Sequence, residues 1–404
     1  MLKRSRLAAT VSPLVITAAV LVLGSTCSSK GASTTTGPEP TPAPGIGLSN
    51  DLSTGGPGSP DPSFTPRADA APVGPLEEPL GNPPASGRGS TDGEAVTLAF
   101  AGDINYDGSL ANRLTSSPGT ILDPIKPLLS SADLTVANLE TAITTRGTRA
   151  PKQFTFRAPP AAFDALAAAG IDVVSMANNH GLDYGPVGLS DSLAAIGASG
   201  FPVIGIGEDA DAAFRPHVAE IKGRRIAVIG ATQVMDSNLK ATWTATATQP
   251  GMASAYDVDR LTRAVRDART DADTVVVFLH WGTEKNECPN PSQLALAPRL
   301  VDAGADVVVG SHAHRVLGGG YHGTAYVDYG LGNFQFAAHS GPGAESGVLT
   351  LTVDGRQVTD PIWHPARING SAVPVPLTGP AAQAASADWD AKRPCTRLAR
   401  DPTP

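Results

Sequence analysis

The chain has 404 residues, 41% of them hydrophobic and 17% charged, with a formal charge of -8, so its length allows two or three domains. The acidic balance argues against nucleic acid or an anionic membrane face as the main partner. Three cysteines without zinc-finger spacing argue against a cysteine-based metal site.

The first residues carry Lys3, Arg4 and Arg6, then an apolar run from Leu7 to Leu23, then small residues up to Cys27. That is the order of a secretory signal over 1–27. Export follows as an expectation, and removing the leader takes the formal charge to -11. The string LGSTC is similar to a bacterial lipobox, although Thr26 stands where Gly or Ala is usual. Lipidation of Cys27, an uncleaved anchor and ordinary cleavage all stay open. Residues 28–94 are mostly Gly, Pro, Ser and Thr, a composition that cannot bury enough apolar surface to offset chain entropy. They are read as a disordered linker, whose ~65 residues span about 45 Å as a flexible coil. A tethered, extracytoplasmic or secreted protein is the expectation.

The region 95–374 is richer in apolar residues and long enough for one core. A strand ends at Asp103, a short helix is expected over 121–129, and a second strand starts near Asp133. AAFDALAAAG reads as a helix stopped by Gly170. Strand DVVSMAN, a helix over 186–196 and one short strand PVIGIG follow. VAEIKGRRIAVIGAT reads as a hairpin around Lys222 and Gly223. Helices over 258–269 and 292–303 precede the runs TVVVFLHWG and DVVVGSHAH. A further run over 324–336 and a hairpin turning at Asp354 and Gly355 close the domain, leaving 375–404 as a C-terminal tail. The alternation predicts α/β architecture, with two sheets between helices fitting better than one doubly wound sheet. Cys288 and Cys395 form a disulfide from domain to tail or remain two thiols, since sequence gives no distance between them.

Five apolar runs stop at residues with ligand or acid/base chemistry. Asp103 and Asn105, Asn138 and Glu140, Asn179 and His180, His280, and His312 and His314 stand at these ends. In extended backbone, i and i+2 face the same way, so three of the pairs can each aim two atoms at one point. Two divalent ions need a bridging carboxylate, further oxygens and neutral imidazoles. Asp103, Asn105, Glu140, Asn179, His280, His312 and His314 supply that inventory. Mixed oxygen and imidazole donors suit manganese, iron or zinc better than magnesium or calcium. Each run alone also fits a plain turn, a capping carboxylate or a satisfied core histidine. Convergence of all five is what favours one site. Arg157 and Lys152 are candidates for binding an anionic substrate, Asp183 for orienting His180, and Asn333 for the pocket floor.

The ordered motifs GDIN, ADLTVANLETAIT, FTFRAPP, VVSMANNHGLDYGPVGLSDSL, VVVFLHWGTE, LVDAGADVVVGSHAHRV and YGLGNFQF resemble the CapA-type family of poly-γ-glutamate capsule biosynthesis proteins. That family is similar to calcineurin-like metallophosphoesterases, and the resemblance implies a four-layer α-β-β-α sandwich. By position it implies that Asn179, His280, His312 and His314 are metal ligands and that His180 is the acid or phosphate-orienting group. Two departures stand out: Asn105 where those enzymes carry a histidine, and Asn138 with Glu140 in place of a bridging aspartate.

Three functional readings result. The first, implied by the resemblance, is an exported, membrane-tethered protein acting in synthesis or export of an anionic surface polymer, poly-γ-glutamate being the named candidate and capsule synthase subunits candidate partners. The second is a secreted metal-dependent phosphoesterase. The third is a non-catalytic polymer-binding scaffold. If the site is catalytic, activated water attacks a phosphorus or carbonyl centre while His180 protonates the leaving group.

Overall fold

Two mixed β-sheets carry the carboxyl ends of their central strands to one rim. The computed structural model describes residues 93–403. The expected signal segment 1–27, with Cys27, and nearly all of the expected linker 28–94 lie outside the described residues. No helix among the described residues is long and apolar enough to cross a membrane.

The eight-stranded sheet is built around Val96–Ile104, which pairs in parallel with Leu134–Leu139, followed outward by Val173–Ser175 and Val203–Ile204. On its other side the long hairpin Glu345–Asp354 and Gln357–Ile368 and the strand Pro374–Pro376 run antiparallel. The short strand Asn333–Gln335 joins the carboxyl end of Val96–Ile104 in parallel. In the six-stranded sheet, Arg224–Thr232, Thr274–Trp281, Val307–His312 and Ala325–Asp328 are parallel, with antiparallel edges at His217–Ile221 and Gly319–His322.

Strand alternation sorts the core. Leu98, Phe100, Val136 and Val173 of one sheet meet Val228, Val276, Phe278, Val307 and Val309 of the other in a shared apolar cluster. The opposite faces, through Ala99, Ala101, Ala137 and Val174, pack on Phe163, Leu166 and Leu189 of two helices. In the second sheet, Ile229, Val275 and Val277 pack on Leu261, Val265, Leu296 and Leu300 of two others. Strands buried on both faces read as continuous apolar runs, which is why the sequence signal was strong.

The helices start and stop where local chemistry requires. Ala161–Ala169 ends at Gly170 with φ 85°. Val258–Asp271 is capped by Asp257, which accepts from the Arg260 amide at 3.0 Å. Pro291–Ala303 has a reciprocal capping box between Asn290 and Gln293. The hairpin at Lys222 and Gly223 and the one at Asp354 and Gly355 form as expected.

Three expectations need correction. Of the helix expected over 121–129 only the short piece Lys126–Leu129 forms, preceded by a turn of 3-10 helix at Pro118–Thr120, because Pro124 lacks an amide donor and restricts the residue before it. PVIGIG is two strands in different sheets, Val203–Ile204 and Ile206–Gly207. Gly205, at φ 83°, makes the break where a Cβ would fall 2.4 Å from the Ala177 Cβ. The segment read as a tail folds as the helix Gly379–Ala391 and a 3-10 turn Arg393–Thr396, with Trp389 buried and stacked 6.1 Å from Trp363. Cys395 in that turn is bonded to Cys288.

Candidate metal centre

Strand ends deliver the site. Asp103 is the penultimate residue of Val96–Ile104, where Gly102 lets the chain approach so closely that a Cβ there would lie 1.9 Å from Gly332 O. Glu140 follows Leu134–Leu139, and Asn178 to His180 follow Val173–Ser175. From the other sheet come His280 and, at the end of Val307–His312, His312 and His314. The two sheets thus present their carboxyl ends to each other.

Asp103 organises the floor. Its Oδ1 accepts from Asn138 Nδ2 at 2.8 Å, and its Oδ2 accepts from the His312 amide at 3.2 Å and lies 3.3 Å from His314 Nδ1. Asn138 Nδ2 also reaches His280 Nδ1 at 3.2 Å, and Ser311 Oγ lies 2.9 Å from that nitrogen. His280 Nε2 is 2.7 Å from Asn179 Oδ1 and 3.6 Å from Glu140 Oε1. Asn178 Nδ2 donates to Asn138 Oδ1 at 3.1 Å and Leu139 O at 2.9 Å, pinning the two strand ends together.

At the centre of this frame is Glu140, fully buried, with neither carboxylate oxygen hydrogen-bonded. Burial and the nearby Asp103 raise its pKa well above the usual range. His312 Nδ1 is likewise buried and unpaired. Glu140, His312 and His314 offer ligand atoms that lie within 4.8 Å of one another. Burial drives the His280 imidazole well below its ordinary pKa and His312 down to about 3, each reinforced by the neighbouring histidines. His314 goes the other way: burial opposes its charge, but Glu140, Asp103 and Asn333 outweigh that and push it up to about 10. Buried polar atoms without partners are costly and call for an explanation. A divalent cation fits the donor set: it takes a carboxylate and imidazoles together, and its binding would release the proton that His314 otherwise holds.

Backbone geometry at the two-histidine turn agrees with a functional constraint. His312 and His314 have φ of 93° and 52°, conformations that cost residues with side chains about 1–3 kcal/mol each.

Beside the cluster stands His180. Its Nδ1 is 2.6 Å from Asp183 Oδ2, its Nε2 is 3.8 Å from Glu140 Oε1, and Phe156 stacks on its ring at 4.2 Å. Burial lowers its pKa, partly offset by Asp183. The carboxylate therefore holds the tautomer with the proton on Nδ1, leaving the Nε2 lone pair toward the cluster.

Other expected site residues fall at different distances from it. Lys152 is nearly buried: its Nζ donates to Asn179 O and lies 3.0 Å from Asp183 Oδ1 and 3.4 Å from His180 Nδ1. Its charge is spent on protein groups. Asn333 Oδ1 is 2.7 Å from His314 Nδ1 while its amide donates to Gly343 O at 2.9 Å. Asn105 is buried, but its Oδ1 turns to its own loop and accepts from the Asp107 amide at 3.3 Å. Arg157 is exposed, stacked 4.7 Å over the Tyr184 ring, with Nη1 donating to Thr145 O. A surface groove of about 630 Å³ lined by Phe214, Arg225, Arg260 and Arg263 contains none of these residues.

Sequence reasoning missed Asn178 and Ser311, and left Asn138 out of the site. Alternation could have found Asn178, which sits two residues before His180 and accepts its amide on Oδ1 at 3.0 Å. Ser311 carries no comparable signal.

The profile of a family described as bacterial capsule synthesis protein PGA_cap matches residues 97–338. The chain is similar to the capsule biosynthesis protein CapA of Bacillus anthracis, 30% identical over 61% of this chain and 61% of that protein. It is also similar to the PGA biosynthesis protein CapA of Bacillus subtilis, 29% identical over 60% and 64% of the two. The matched part thus spans about six tenths of those relatives' length. A solved structure described as a novel phosphatase from Mycoplasma pneumoniae is 13% identical, with a TM-score of 0.43 over 72% of this chain and 97% of that one. A 5'-nucleotidase from Candida albicans is 8% identical, with a TM-score of 0.40 over 74% and 57%. Matched by the profile over well more than half its length, the chain belongs to the bacterial capsule synthesis protein family PGA_cap.

Proposed function

We propose that this chain is an exported, tethered protein that acts in synthesis or export of an anionic surface polymer of poly-γ-glutamate type, through a site holding divalent cations on a four-layer frame of the metallophosphoesterase kind. The single observation that carries the site is Glu140, whose two carboxylate oxygens are buried without a hydrogen bond, Oε1 lying 3.6 Å from His280 Nε2 and 3.8 Å from His180 Nε2. Family membership and the printed descriptions of the CapA relatives support the polymer.

Glu140, His312 and His314 would hold one ion, with Asp103, Asn179 and His280 the donors nearest a second, manganese, iron or zinc in each case. Such ions supply charge neutralisation at a developing phosphoryl or acyl oxygen and lower the pKa of water. Asp103 fixes the His312 amide, and Asn138 and Asn178 hold the strand ends in register. His180, kept neutral by burial and oriented by Asp183, offers Nε2 to take up a proton and return it to a leaving group. Phe156 over His180 and Phe336 beside His314, 4.9 Å between centroids, keep water from the imidazole faces.

The test is manganese-dependent binding and cleavage of poly-γ-glutamate by the purified protein. Binding that disappears in Glu140→Ala supports the proposal; no binding with or without metal overturns it. A second reading, a phosphoesterase of soluble esters, is favoured by the His180–Asp183 pair at 2.6 Å. Turnover of an aryl phosphate with manganese, abolished in His180→Ala, would select it. Binding that survives without metal would select the scaffold reading.

A further inference from the structure

The turn that presents His312 and His314 is held from outside its own strand. Two of its carbonyls are taken by distant residues, Ala313 O by the Lys285 amide at 2.8 Å and Val316 O by Lys392 Nζ at 3.1 Å, while His314 O accepts from Arg315 Nη1 of the turn itself at 2.7 Å. Two of these three donors lead to the C-terminal segment. Lys392 belongs to it. Lys285 lies in the exposed stretch 283–288 that follows the strand of His280, and Cys288 in that stretch is bonded to Cys395.

That segment is itself well anchored. Arg393 Nε donates to Gly319 O at 2.9 Å, and Ala399 exchanges backbone bonds with Tyr321 at 2.8 and 2.9 Å. Trp389 is buried against Trp363. All of it lies beyond the residues 97–338 that the family profile matches.

We propose that the C-terminal segment is a positioning element of the candidate metal centre, acting through Lys392 and the Cys288–Cys395 bond on the turn that carries His312 and His314. The assignment of what is positioned rests on reading the cluster as a metal centre. Neither Lys392 nor the disulfide meets a ligand atom. Each fixes the backbone from which two of the ligands project, at φ values that neighbours must enforce. Opening the disulfide loosens the turn while the shared core of the two sheets stays packed.

Two measurements on the full chain test this: metal-free amide hydrogen exchange, and calorimetric titration with manganese. In Cys288→Ser/Cys395→Ser and in Lys392→Met, amides at 283–290 and 311–317 exchange at least tenfold faster than in the parent. Those at 226–229 and 275–279 do not change, and manganese binds at least tenfold more weakly. Lys392→Arg restores both. Faster exchange confined to 379–403, with 311–317 as protected as before, overturns the proposal. If the double cysteine variant loses protection in the core strands as well, Lys392→Met with the disulfide intact decides by the same pattern. If the parent takes up no manganese but the turn still loosens, the positioning role stands and the metal reading fails.

Discussion

Glu140 sits buried without a hydrogen bond, where a charge is costly, and burial together with the nearby Asp103 raises its pKa. Replacing it by the isosteric neutral amide therefore leaves the metal-free protein about as stable, while the cation loses its carboxylate. In Glu140→Gln the thermal midpoint without metal stays within a few degrees of the parent. The rise produced by manganese, about 2.7 kcal/mol at a hundredfold excess over Kd for a site that binds only the folded state, disappears. Calorimetry with and without manganese checks both halves. How much of this was legible in sequence follows from strand geometry. Asp103, Glu140, Asn179, His280, His312 and His314 are brought together because each ends or follows a buried parallel strand, and a run of Val, Ile and Leu announces such strands. Asn105 and Arg157 were harder. One turns its amide to a backbone donor two residues on, and the other lies over an aromatic ring; alternation alone indicates neither choice. Lys152, expected to bind an anionic substrate, instead has its charge consumed by Asp183 and Asn179 O, partners that sequence spacing does not reveal.

Elements follow the same division. Helices announced by caps were readable from sequence: Asn290 with Gln293 is a reciprocal box, and Asn290→Ala costs about 1 kcal/mol in urea denaturation. The helix Gly379–Ala391 is not legible in the sequence, because it presents no apolar stripe, Trp389 being its one buried residue, and its stability comes from tertiary contacts. Trp389 supplies the largest of these, buried against Trp363, so Trp389→Ala lowers stability by about 3–5 kcal/mol. The Cys288–Cys395 bond closes a loop over a sequence separation of 107 residues. By chain entropy a loop of that size contributes between about 4 and 5 kcal/mol. Reduction should move the denaturation midpoint accordingly, and an unchanged midpoint would show that the reduced chain keeps the loop ends together.

For the whole molecule, stability should depend on pH in part through a carboxyl outside the candidate metal centre. Asp328 ends a central strand of the second sheet and is fully buried, and that burial pushes its pKa up to about 7, against the pull of the Gly330 amide and the neighbouring Trp389 indole. A folded-state value above the unfolded one means that the native protein holds a proton the unfolded chain has released. The resulting stability is present in full below the unfolded value near 3.8 and declines as pH rises toward 7, by about 4 kcal/mol in all. Urea denaturation at intervals from pH 4 to pH 8 should show this slope, and Asp328→Asn should reduce it, the remainder coming from Glu140 and the other carboxyls that burial raises. The Asp328 part of the slope belongs to the fold alone, whereas the account as a whole depends on what the two sheets assemble at their common rim. The most direct measurement is anomalous diffraction from crystals soaked in manganese. The account predicts a peak about 2.0–2.3 Å from a Glu140 oxygen and from the His312 and His314 nitrogens, absent in Glu140→Gln. Manganese found only elsewhere on the protein, or not at all, would contradict it.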